Sequence, residues 1–252
     1  MSSATITTSA RLMNFTPQTE EQAMVRKVAV SSFLGNFIEW FDYASYSYFA
    51  TTIALVFFPT DNHTVAMLQT FGVFALSFIL RPIGALFWGS YGDKKGRKAA
   101  LAHSIMFMSG ASFLIGCLPS YSVIGVGAPI LLLLLRMVQG FSASGEYAGA
   151  ATFLGEYAPT SKRGIYCSLI PASTAIGLLA GSTLATLMTA NMNSSAMVGW
   201  GWRVPFLLAG PLGLIVLYIR TKLSDSPVYQ SMNDALESKS AASADGQVVS
   251  KS

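Results

Sequence analysis

Five charged side chains and one amide stand inside long apolar stretches of this sequence: Glu39, Asp42, Arg81, Arg136 and Glu146, with Gln139. At the centre of a helix in hydrocarbon each charge costs about 2.5–3.5 kcal/mol on insertion scales. Five unpaired ones would cost on the order of 10 kcal/mol or more, so they must face one another or a water-filled cavity. Two kinds of chemistry suit such residues. A carboxylate that alternates between a desolvated site and an arginine partner can bind and release a proton. A static ion pair that ties helices together is the plainer alternative.

Spacing sorts the residues onto faces. Glu39 and Asp42 are three apart and share a helix face, and Tyr43 and Tyr46 continue the same stripe. With Trp40, these aromatics beside two carboxylates suit a cation–π site for a quaternary ammonium. An aromatic belt or ordinary packing explains them equally. Arg136, Gln139 and Gly140 are spaced i, i+3, i+4, and Glu146 lies seven beyond Gln139, about 10 Å farther along nearly the same face. An acidic stripe on one helix and a mixed stripe on another are what two walls of a central cavity need. Arg81 precedes Pro82 near a helix end, where it either gates that cavity or snorkels to the headgroups.

The elements that must carry these stripes are membrane spans. The chain is 11% charged and 52% hydrophobic, against about a quarter charged in soluble domains. Six segments reach the roughly 20 apolar residues that a span needs: 28–58, 65–91, 98–118, 122–156, 162–190 and 203–223. The fourth has a second possible start near Ala128, because Gly125, Gly127 and Pro129 are poor helix-interior residues. Pro171 is a candidate kink in the fifth. Residues 1–27 read as a polar tail, and 224–252 as a polar tail or linker without apolar periodicity. The first apolar run is too long for a cleavable leader and is expected to stay as an anchor.

Basic residues cluster at alternate connections: Arg26 and Lys27, then Lys94, Lys95, Arg97 and Lys98, then Lys162 and Arg163, then Arg220 and Lys222. Arg203 is the one Lys or Arg expected on the other side. The positive-inside rule then places both termini in the cytoplasm. Clusters between apolar runs do not make the continuous basic face of a nucleic-acid binder. Cys117 and Cys167 lie in apolar segments without metal-ligand spacing, and read as packing residues. No nucleophile–base pair or metal motif has helical spacing, so neither an enzyme nor a metal site is expected.

One connection carries a recognisable pattern. Gly89-Ser-Tyr-Gly-Asp93-Lys-Lys-Gly96-Arg97-Lys98, between the second and third spans, resembles the signature loop of the major facilitator superfamily. Gly89 would permit close helix contact, Gly96 a tight turn, and Asp93 would cap a helix or pair with Arg97. Four further stretches resemble its metabolite:proton symporter branch, which includes proline/betaine, α-ketoglutarate, shikimate and citrate carriers. They run from Gly35 through Glu39 and Asp42 to Tyr43, from Arg81 to Gly84, from Arg136 through Gln139 and Glu146 to Tyr147, and from Gly201 to Phe206. The run from Pro119 to Leu133 is most similar to the proline/betaine transporters.

The resemblance implies an all-α membrane protein: a six-transmembrane-helix bundle made of two inverted three-helix repeats, the N-terminal half of a twelve-span fold. It implies symport of a small metabolite or compatible solute across the cytoplasmic membrane, with the proton as coupling ion and no other cofactor. Arg136 would be the coupling arginine, with Glu39 and Asp42 lining the cavity. Asp93 and Arg97 would form a conformational latch with Glu156. Ser144 stands where a second glycine is usual, a change expected to tighten the cavity. The family's site lies between halves, so the expected partners are a solute, membrane lipid, and a second six-helix half or a homodimer mate. A half that does not transport by itself, and acts as a membrane interaction protein if at all, is the alternative.

Overall fold

The computed structural model describes residues 16–224, 229–232 and 234–235, with side-chain surroundings from residue 22 onward. Among them every regular element is helical. The chain runs through α1 (Thr16–Tyr48), α2 (Ala50–Phe57), α3 (His63–Ile79), α4 (Arg81–Lys95), α5 (Arg97–Cys117), α6 (Tyr121–Ile124) and α7 (Gly127–Tyr157). A 3₁₀ turn then leads to α8 (Arg163–Cys167), α9 (Leu169–Asn191), α10 (Ser194–Gly199) and α11 (Val204–Thr221). The first helix begins at Thr16, so the expected boundary at residue 28 falls inside it. Residues 229–232 and 234–235 are helical, and the Tyr229 hydroxyl donates to the Lys94 carbonyl at 3.2 Å. The rest of the polar tail lies outside the described residues.

Sequence chemistry sets the helix ends and breaks. Asn62 caps α3 by accepting from the amides of Thr64 and Val65, and Asn193 caps α10 by accepting from Ala196. The second span is broken at Leu80, two residues before Pro82, and the fifth at Ser168, three before Pro171. A proline lacks the amide that would bond the carbonyl four residues back, so each break sits inside the turn that the ring disrupts. The fourth span starts at Gly127, the later of the two readings. Gly96 adopts φ +98 between α4 and α5, the left-handed turn expected of it.

Among the described residues, five helical stretches are long and apolar enough to cross a membrane: His63–Lys95, Arg97–Cys117, Gly127–Tyr157, Thr160–Asn191 and Gly201–Thr221. The sixth expected span, α1 continued by α2, is long enough but less apolar. Its polar residues Ser31, Ser32, Asn36, Glu39, Asp42 and Ser45 are all buried, turned away from any surrounding lipid. This helix is central: it packs on α9, α11 and α7, while α7 packs on α3, α4 and α5, and α5 packs on α11. These partnerships survive exchange of the first three spans for the last three, the pattern expected of two inverted repeats.

Close helix approach depends on glycines. A Cβ on Gly140 would sit 1.9 Å from the Ser77 carbonyl oxygen, and one on Gly84 would sit 2.2 Å from that of Phe141. Gly177 and Gly181 lie against the α1 backbone in the same way. Gly145 abuts Trp88, and Ser144 is accommodated because Gly84 faces it. Ser144 therefore fills a helix crossing, and its hydroxyl turns back to the Phe141 carbonyl at 2.6 Å. Gly89 departs from expectation. A Cβ there would meet nothing within 4 Å, and Gly92 is the glycine packed against Arg97 and Ala100. Cys117 is likewise exposed, where a packing role was expected, and Cys167 is half-buried.

The apolar core is layered. One cluster at the Trp202 end holds Phe57, Ile115, Leu132 and Phe206. One at the basic end holds Val28, Leu101, Leu154 and Ile170. A middle cluster includes Ile38, Ile105, Ala143 and Val216. Replacing Gly140 by Ala should force the α3–α7 crossing apart and cost about 1–3 kcal/mol, as overpacked cores do. Gly72→Ala, whose added methyl meets nothing, should leave stability unchanged or slightly raised. Thermal unfolding of the two purified variants in one detergent checks this.

Candidate functional site

Among the described residues, three ion pairs join helices within the bundle, and together they account for all five intramembrane charges noted above. Arg136 of α7 donates through Nη1 to Asp42 of α1 at 2.6 Å. Arg81 of α4 donates to Glu39 of α1 at 2.6 Å. Glu146 of α7 is held by Arg220 of α11 through both carboxylate oxygens. On their helices, the Asp42 and Glu146 pairs lie on either side of the middle apolar cluster, so each is enclosed by hydrocarbon.

The Asp42–Arg136 pair is deeply buried yet under-bonded. Arg136 is 0% exposed and Asp42 3%. Nη1 of Arg136 also donates to Gln139 Oε1 at 2.7 Å, and Gln139 passes the chain on to Ser112 of α5. The guanidinium lies over the Tyr46 ring, 3.8 Å from its centre, with Phe206 on another side. Asp42 Oδ1 and the Nε and Nη2 atoms of Arg136 have no partner. The spacing of Arg136, Gln139 and Asp42 thus converges as expected. Tyr46 faces the protein's own cation, and its hydroxyl is committed to the Thr70 carbonyl at 2.9 Å.

The Glu146–Arg220 pair is bonded far more completely. Glu146 Oε2 also accepts from Ser104 at 3.2 Å, and Arg220 reaches the carbonyls of Leu101 and Ser31. Helices α1, α5, α7 and α11 meet here. Gly35 makes room, since a Cβ on it would overlap the Glu146 carboxylate and the Arg220 guanidinium. Arg220 was expected among the basic residues of the cytoplasmic surface. It is instead 1% exposed. Its position in the buried stripe Phe206, Ala209, Gly213, Val216, Arg220, at spacings of three and four, is the signal that would have found it.

The Glu39–Arg81 pair is the accessible one. Arg81 is 26% exposed and Glu39 1%. The Tyr43 hydroxyl bonds the same guanidinium, which lies over the rings of Phe78 and Tyr43. Arg81 therefore turns inward onto α1 and does not snorkel. Trp40 is half-buried and its indole N–H has no partner. Asn36, not singled out by spacing, ties α1 to α9 by bonding the Ile170 carbonyl and the hydroxyls of Ser173 and Thr174.

The loop residues divide. Asp93 pairs with Arg97 at 2.9 Å across the Gly96 turn, one of the two roles expected, and makes no helix cap. Glu156 does not join them: no ion pair links it to either residue, and its Oε2 is buried without a partner. At the opposite end Arg203 donates to the carbonyls of Gly116 and Leu118, closing the last turn of α5.

Comparison with known proteins agrees with this architecture. The family described as sugar (and other) transporter matches residues 27–250. The proline/betaine transporter of Salmonella typhimurium is 42% identical over 86% of this chain, and so is the glycine betaine/proline/ectoine/pipecolic acid transporter OusA of Dickeya dadantii. The match covers 43% of each of them, so the chain spans less than half the length of these curated relatives. Among solved structures, the partially occluded inward-open xylose transporter XylE from E. coli superposes with a TM-score of 0.75 at 17% identity, covering 83% of this chain and 52% of that one. The proton:xylose symporter XylE bound to 6-bromo-6-deoxy-D-glucose gives 0.74 at 16% identity, over 83% and 46%. The chain belongs to the sugar (and other) transporter family, a family of membrane transporters of the major facilitator type and not of enzymes.

Proposed function

We propose that this chain is the six-helix bundle that carries proton coupling in a symporter for proline- or betaine-like solutes, working in a cell membrane. The single observation that carries the reading is the Asp42–Arg136 pair: fully buried, bridging α1 and α7, and joined by one hydrogen bond with three polar atoms left over. A carboxylate so weakly held can trade its arginine for a proton as the bundle changes shape. The names of the 42%-identical relatives support the solute class, and the symporter title of the XylE neighbour supports the coupling ion. Symport of a small carboxylate is the second reading, favoured by the accessible guanidinium of Arg81.

Glu146 takes a different role in this reading. Its bidentate partner and third donor make it a brace, with Arg220 as the other half. Cytoplasmic termini are part of the same proposal. With Arg220 removed from the tally, nine Lys and Arg residues remain at the expected cytoplasmic connections against Arg203 alone, so the positive-inside argument still favours that orientation. The other wall of the substrate path is supplied by a second six-helix bundle, either a separate half or a mate of this chain.

In proteoliposomes, an acid-outside pH gradient should drive uptake of proline or glycine betaine. Asp42→Asn should reduce uptake to that of empty vesicles while solute binding persists. Uptake by the variant equal to the parent would sink the coupling role. Uptake only after co-reconstitution with a second bundle would identify a half that needs its partner. For the brace, Glu146→Leu should cost about 3–5 kcal/mol, because it strands the Arg220 charge. The Glu146→Leu/Arg220→Leu double variant should cost clearly less, as read by denaturant unfolding in detergent. A green fluorescent protein fused after Lys222 should fluoresce in intact cells, as it does only when cytoplasmic.

A further inference from the structure

Three of the eleven methionines, Met188, Met192 and Met197, fall close together where α9 ends and α10 leads to the 3₁₀ turn Gly201–Arg203. Gly201 lets two of them converge. A Cβ on it would sit 3.0 Å from the Met197 sulfur, 3.1 Å from the Met192 sulfur and 2.7 Å from the Met192 methyl. The two sulfurs therefore flank one small space and lie no more than about 6 Å apart. Met188 stands four residues before Met192 and packs on the same apolar cluster. Met197 is 7% exposed and Met192 is half-buried, so the pair is reached from the surface through Met192.

We infer that Met192 and Met197, with Met188 as a third donor, form a binding site for a soft monovalent metal ion, Cu(I) or Ag(I), at the end of the bundle opposite the basic clusters. Thioethers are soft, uncharged ligands, and they select Cu(I) over the harder biological metals. Residues 157–224 contain no Asp, Glu or His. The segment thus offers neither the carboxylates on which Ca(II) and Mg(II) sites are built nor an imidazole for Zn(II). Arg203, the nearest cation in sequence, is turned to the end of α5. Its guanidinium lies 4.6 Å from the centre of the Trp202 ring and donates to the carbonyls of Gly116 and Leu118. Motifs built on Cys, His and carboxylates miss such a site, because its donors read as apolar residues.

The spacing of the sulfurs suits one ion between them. Metal–sulfur bonds run to about 2.3 Å in zinc sites, so two sulfurs across one ion stand at most about 4.6 Å apart. Met192 is unbranched, with three rotatable bonds, and closes the remaining gap by side-chain rotation alone. Gly201 keeps the space open, since any side chain there would fill it. Binding releases no proton, because a thioether carries none. The site is therefore indifferent to pH across the range in which an imidazole or thiol ligand would have to be deprotonated.

The test uses the purified full chain carrying Cys117→Ser and Cys167→Ser, which removes the competing thiols, in lipid nanodiscs and chloride-free buffer. Silver nitrate is the probe, read by calorimetry and by thermal unfolding. The chain should bind Ag(I) with the same affinity at about pH 5.5 and 7.5, on either side of the imidazole range. It should also unfold at a higher temperature when loaded. Met192→Leu keeps the apolar volume, so a mere packing role would leave silver binding unchanged. It should instead weaken binding by at least roughly 10- to 100-fold, the loss that even an outer-shell partner of a metal causes. Met197→Leu should do the same, and if it unfolds early, the half-buried Met192→Leu decides alone. Met106→Leu, at an exposed methionine outside the cluster, should bind silver as the parent does. Absence of Ag(I) binding to the thiol-free parent would overturn the site. So would parental affinity in Met192→Leu, an equal loss in Met106→Leu, or displacement of silver by Ca(II) or Zn(II).

Discussion

No charge in this bundle is free to face hydrocarbon, and that constraint organises the rest. Five ionisable residues on the first, second and fourth spans need counter-charges, and a sixth is supplied by Arg220 on the last. Each pair must bridge two helices, because its members belong to different spans. The first span therefore sits at the centre, its polar stripe shared between α4 and α7. The apolar clusters above, between and below the pairs keep water from dissolving them. A buried pair is weak evidence for stability in itself, since desolvation offsets much of the attraction. What it supplies here is register: the helices can pack in few ways that leave no charge alone.

Glycines and prolines make that register attainable. Gly140, Gly84, Gly177 and Gly181 let backbones approach until a methyl would collide, and this closeness brings short carboxylates within reach of arginines. Pro82 and Pro171 accompany breaks in the second and fifth spans, at Leu80 and Ser168. The break at Leu80 puts Arg81 at the first turn of α4, beside Glu39. Local chain defects and ionic pairing are thus parts of one arrangement.

The three pairs are chemically unequal, and the inequality separates roles. In Glu146–Arg220 the carboxylate accepts from three donors, and of the arginine only Nε lacks a partner. Asp42–Arg136 is equally buried but thinly bonded, and Glu39–Arg81 is thinly bonded with its arginine partly exposed. In the proposed function, rigid bracing and proton exchange ask for the first two of these conditions in turn. The cations lying over Tyr43 and Tyr46 are the protein's own, Arg81 and Arg136.

Much of this was legible along the chain. Apolar length marked the spans and basic clusters ordered them. The i, i+3 spacing put Glu39 with Asp42 and Arg136 with Gln139, since side chains three or four apart share a helix face whatever surrounds them. The tight turn at Gly96 and the Asp93–Arg97 pair were equally local. Partners across helices were not. Arg220 beside Lys222 looks like a surface charge, Glu156 looks like a latch member, and Gly89 looks like a contact point, because residue type does not reveal which way a helix is rotated. Sequence alone determined a membrane bundle with costly charges inside it. Only the tertiary structure decided which charge answers which, because pairing depends on the rotation and separation of helices, fixed by packing between residues more than a hundred positions apart, as in Asn36 with Ile170 and Ser31 with Arg220.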